Sequence, residues 1–196
     1  MKHLIATAAA LALVVIPAHS QGTGLSRTDV TGFPLAKTEP AKAPPFKIDP
    51  AKDFHIELGR GGGMDGLETV ALERNGQVVL HRLKDILKGR WQKAAVTLDK
   101  AAIDRVLAAI DNNKIMEMAA AYHADDKIAD GTQWILWIRQ GESSKAIYFN
   151  NHFPEAIKSF AKALDAEIKR DAIPEAKWED DAKPREHEKA LWESIK

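Results

Sequence analysis

Three patterns predict an α+β fold, in which hairpin strands form an antiparallel sheet and two main helices cover it. Phe54, Ile56 and Leu58 alternate with His55 and Glu57, the period of a half-buried strand. Asn75-Gly76 lies between two strand-like runs, and this pair favours a tight hairpin because both residues tolerate positive φ. Ile103, Val106, Leu107 and Ile110 recur at i, i+3, i+4 and i+7, the apolar stripe of an amphipathic helix. The order strands, helix, hairpin, helix suits one small domain with its helices on one face of the sheet.

The N-terminus reads as an export signal. Lys2 and His3 precede an apolar run from Leu4 to Ile16, Pro17 breaks it, and Ala18-His19-Ser20 offers small residues around a spacer. Residues 1–20 are therefore expected to be a signal peptide, cleaved after Ser20. The run is shorter than the roughly 20 apolar residues a membrane-spanning helix needs. The expected location is the periplasm or the outside of the cell, with no stable membrane insertion after cleavage. Residues 21–52 carry Pro34, Pro40, Pro44, Pro45 and Pro50 and few apolar side chains, the composition of an extended linker.

The domain is expected over residues 53–170. After the first strand comes a glycine cluster at 59, 61, 62, 63 and 66, and then the paired runs either side of Asn75-Gly76. Trp91 to Leu98 reads as another strand. Asp99 is placed to cap the following helix, and Asn112 and Asn113 suit its end. Thr132 to Gln140 is apolar on both faces, with Trp134, Leu136 and Ile138 on one and Ile135 and Trp137 on the other. Such a strand is central or covered on both sides. Ser144 to Asn150 returns, and Pro154 opens a helix with the stripe Ile157, Phe160, Ala161, Leu164 and Ile168. Residues 171–196 form a charged tail in which Leu191, Trp192 and Ile195 suit a short helix, docked or mobile.

Charge and composition narrow the function. The chain carries 28 Lys+Arg and 28 Asp+Glu, so no excess of positive charge favours nucleic acid or an anionic membrane. It has no cysteine, which removes thiol catalysis and disulfides. Gly61-x-Gly63-x-x-Gly66 matches a dinucleotide fingerprint as a string, but too little chain precedes Asn75-Gly76 for the crossover helix that fingerprint requires. Those glycines read either as a flexible strand connection or as an exposed recognition loop. The five histidines beyond residue 20 show no metal-site spacing, and the acidic stretch from His123 to Gly131 lacks the ligand offsets of a calcium loop. No metal, cofactor or catalytic residue is expected, and the domain reads as non-enzymatic. Trp91, Trp134 and Trp137 are the aromatic alternative, a platform for a small ligand or carbohydrate, set against the commoner use of tryptophan in a core.

The strand followed by Gly62-Gly63-Met64-Asp65-Gly66 resembles the opening of emfourin-like proteins, small bacterial inhibitors of thermolysin-type metallopeptidases. The helix from Asp99 to Asn112, the strand pair after Asp130-Gly131 and the helix at Phe153-Pro154-Glu155 follow the same layout, over about residues 53–169. The chain departs from it by the hairpin around Asn75-Gly76 and a charged stretch to Trp91, and in these it resembles secreted bacterial proteins of unassigned function that share the glycine opening. The resemblance implies a protein-binding, protease-inhibitor-like role with a secreted metallopeptidase as partner. Its matching positions are Gly62, Gly63 and Gly66; the candidate contact loop, read from the glycine cluster itself, is Gly61, Gly62, Gly63, Met64, Asp65 and Gly66.

Overall fold

The structure is a computed structural model and describes residues 37–41, 43–62, 65–124, 131–183 and 185–196. Residues 1–36, which include the expected signal peptide, lie outside them, as do Gly63, Met64 and the acidic positions 125–130. The molecule is a mixed α+β domain with a large, mostly antiparallel sheet and three α-helices among the described residues.

The strands run β1 (Lys37–Glu39), β2 (His55–Gly62), β3 (Gly66–Glu73), β4 (Gln77–Asp85), β5 (Arg90–Thr97), β6 (Ala121–His123), β7 (Thr132–Gln140), β8 (Ser143–Asn150) and β9 (Glu179–Asp180). In space their order is β1-β6-β8-β7-β2-β3-β4-β5-β9, and only β6 and β8 pair in parallel. Register explains the core. One cross-strand row reads Ile147, Leu136, Leu58, Val70, Leu80 and Ala94, all buried. Period-two alternation aims that row at one face, and two helices cover it.

Those helices are α1 (Lys100–Asn112) and α2 (Glu155–Ile168). Asp99 caps α1, its Oδ1 accepting from the Ala102 amide at 2.7 Å. The turn after α1 puts Lys114, not an asparagine, in the left-handed region. Pro154 sits just before α2 at its N-cap. Ile103, Val106 and Ile110 of α1 and Ile157, Phe160 and Leu164 of α2 are buried together with the sheet residues. Arg105 ties the two helices at their surface, donating to Glu167 at 2.7 Å.

The connection at Asn75-Gly76 is one residue longer than a two-residue turn. The Gly76 amide donates to the Glu73 carbonyl at 2.9 Å, and Gly76 alone takes a positive φ, +83°. A three-residue loop of this kind needs left-handed backbone only at its last position. A side chain there would also meet the Leu98 carbonyl oxygen at 2.2 Å.

The sheet extends past the expected 53–170 at both ends. Within the stretch read as a linker, β1 joins β6, and Ile48 is buried in the main core. Within the stretch read as a tail, Trp178 enters the same core, and Arg82 stacks on its ring at 4.0 Å. A third helix, α3 (Lys189–Ser194), lies on the opposite face of the sheet. The expectation of helices on one face is thereby corrected. Leu67 and Ile135 point away from α1 and α2, and Leu191 covers them, with Trp137, Tyr148, Trp192 and Ile195 around the edge. Gly59 permits this closeness, because a Cβ there would stand 2.7 Å from the Leu191 Cδ1.

Candidate functional site

The glycine-rich stretch divides between structure and surface. Gly61 and Gly62 belong to β2 and pair with Leu67 and Gly66 of β3, so the two strands zip up to the hairpin tip. A Cβ on Gly61 would lie 2.1 Å from the Gly66 carbonyl oxygen, which makes glycine a packing requirement there. Gly66 has φ +87° and faces Arg185, Glu188 and Trp91. Asp65 is exposed at the tip. Gly63 and Met64, the remaining candidates, lie outside the described residues.

The three tryptophans are not brought together. Trp91 is buried under the C-terminal segment, 4.8 Å from the His187 ring. Trp134 packs on the helix-covered face against Phe153 at 4.9 Å, with Arg60 over its ring. Trp137 is half-buried on the other face, where its Nε1 donates to Ser144 at 2.9 Å and Arg139 stacks at 5.2 Å. A single aromatic platform from these residues is excluded by their opposite sides of the sheet.

The C-terminal segment gathers polar chemistry that the sequence did not signal. Glu188 is buried; its Oε2 accepts from the Leu67 amide and from the Trp192 Nε1, both at 3.0 Å, and its Oε1 accepts from Arg185. These bonds satisfy a carboxylate that burial alone would make costly. One residue earlier, the His187 ring stacks on His81 of β4 at 4.1 Å, nearly parallel. The Asp181 Oδ2 stands 3.9 Å from His81 Nε2 and 3.7 Å from His187 Nδ1. Burial, then the neighbouring His187, pushes the His81 pKa down to about 4, against the pull of Asp181. His81 and His187 are 106 positions apart in the chain and only the fold joins them, so no motif spacing could reveal the trio.

Further along the same face lies an open groove of about 280 Å³. β8 forms its floor. β6 pairs with β8 only from Tyr148 to Asn150, so the outer edge from Ser143 to Ile147 has no strand beside it among the described residues. Glu39, His123, Ser144, Ala146, Tyr148 and Ile195 line the groove. Tyr148 has a raised pKa because it is partly buried there. Behind β8, Lys145 is buried, its ammonium donates to the Met118 carbonyl, and burial lowers its pKa. The groove thus combines backbone hydrogen-bonding groups, small side chains at Ser144 and Ala146, and an aromatic wall.

A scan against protein-family models and a search among curated proteins both found no match to this chain.

Proposed function

We propose that this chain is an exported, non-enzymatic binding module that engages another protein through an extended segment of that partner. The observation that carries this reading is the open outer edge of β8 beside the groove. An added strand there would complete the ladder, and alternate side chains of the peptide would reach Ser144, Ala146 and Tyr148. Backbone pairing gives affinity in such recognition, and the pockets for alternate side chains give selectivity. The resemblance at Gly62-Gly63-Met64-Asp65-Gly66 makes a secreted thermolysin-type metallopeptidase the first partner to test, with a protease-inhibitor-like outcome. The exposed Asp65 marks the hairpin tip as the competing contact surface.

Co-purification from the envelope and secreted fractions of the producing cell tests the reading. Ala146→Trp fills the groove at a half-exposed position and leaves the core untouched. The expected result is one stoichiometric partner retained by the wild type and lost by this variant. Retention by Ala146→Trp together with loss by a tip variant such as Gly63→Trp would move the contact to the hairpin. The small-ligand alternative rests on Trp134 or Trp137, both half-buried, since Trp91 is buried. Quenching of tryptophan fluorescence by a saccharide, lost in Trp134→Phe or Trp137→Phe, with no protein partner, would favour it.

A further inference from the structure

We propose that His81, Asp181 and His187 form a binding site for a divalent transition-metal ion, Zn²⁺ first among them, which fastens the C-terminal segment to β4. Two imidazoles and one carboxylate are a ligand set that Zn²⁺ takes readily, and a fourth position remains for water. Their donor atoms all lie within 4.8 Å of one another. In a tetrahedral Zn²⁺ site, bond lengths near 2.1 Å put donors about 3.4 Å apart. The 3.7 and 3.9 Å to Asp181 therefore need a contraction of about 0.3 to 0.5 Å.

Hydrogen bonding prepares the lone pairs. His187 Nε2 lies 2.9 Å from the Leu67 carbonyl oxygen, which can only accept, so the proton of the neutral ring sits on Nε2. Nδ1 is left as a lone pair pointing toward Asp181. It is buried and has no hydrogen-bond partner among the described residues, an unusual state for a native polar atom. The side chain is only 5% exposed. On His81, Nδ1 bonds the Thr69 hydroxyl at 3.1 Å and Nε2 faces Asp181. A ring held by a hydrogen bond on one nitrogen and open on the other is the usual arrangement of a metal-ligating histidine. The two rings stack within 5° of parallel, so a bound ion requires them to tilt apart. Lys93, the ladder partner of His81, opposes a cation by its charge, and affinity comes from ligand chemistry and not from surplus acid.

Calorimetric titration of the full chain, expressed with its own N-terminus and purified without a tag or metal, tests this with ZnCl₂ as the probe. The expected result is one saturable equivalent, a higher melting temperature with Zn²⁺, and visible d–d absorption when Co²⁺ replaces it. Asp181→Asn keeps the size of the side chain, and His81→Gln keeps a polar group of similar reach. Each is expected to weaken binding by at least about tenfold, the loss that follows even from removing a group hydrogen-bonded to a ligand. His123→Gln, in the groove, is expected to bind Zn²⁺ as the wild type does. Absence of saturable binding, or binding by Asp181→Asn and His81→Gln as tight as that of the wild type, overturns the proposal. Neither result depends on whether the groove captures a protein.

Discussion

At the residue scale, the clearest consequence concerns His55. Burial disfavours its protonated form, but hydrogen bonds to Glu57 and Glu73 outweigh that and hold its pKa above the ordinary 6.5. A group whose pKa rises on folding binds its proton more tightly in the native state. Its stabilisation is full below the unfolded value and fades as pH climbs through the folded one. His55→Gln is therefore expected to lower the melting temperature more at pH 5.5 than at pH 9, read by circular dichroism. Equal losses at both would show that the two carboxylates do not act on the ring. Some single residues were legible beforehand. Asp99 was marked by its place before an apolar stripe, and it caps α1. The glycines were marked as permissive, while their reasons came only from neighbours: the Gly66 carbonyl for Gly61 and Leu191 for Gly59. The trio of His81, Asp181 and His187 was not legible at all, because its members are distant in the chain.

At the scale of elements, β7 announced more than its own conformation. Its apolar residues on both faces required two covers, and sequence periodicity supplied only α1 and α2. The second cover lies in a charged segment where Leu191, Trp192 and Ile195 suit a short helix, and so few apolar side chains leave its docking undecided until β7 is seen to need a cover. Six residues make too short a helix to stand alone, so α3 is held by Leu191 packing and by the buried Glu188 bonds. Leu191→Ala is expected to cost roughly 2–4 kcal/mol, as for other fully buried leucines. It should also loosen residues 181–196 in hydrogen exchange before the rest of the sheet opens. A cost well under 1 kcal/mol would mean that the segment is not coupled to the sheet. The linker reading failed similarly at β1 and Ile48: prolines exclude helix and central strand, but they leave a short edge strand and a single apolar anchor open.

At the scale of the whole molecule, the N-terminal pattern makes export and cleavage after Ser20 the expectation, and the outer edge of β8 is the proposed contact of the exported domain. Mass spectrometry of the protein recovered from the producing cell is expected to give Gln21 as the first residue. A chain that keeps Met1 would contradict cleavage. The rims are short strands, β1 with three residues and β9 with two, and short rims discourage uncontrolled pairing. Among the described residues the outer edges of β8 from Ser143 to Ile147 and of β5 from Ala94 to Thr97 have no strand beside them, and the small side chains of Ser144 and Ala146 in the groove single out β8. Site-directed photo-cross-linking in the producing cell tests this most directly, with the reactive group placed at position 146 and, as a control, at Leu87, which is 94% exposed on a distant turn. One recurrent protein is expected to cross-link at 146, through a single extended segment, and none at 87. Cross-linking at neither position, or the same scatter of proteins at both, would contradict a binding edge on β8.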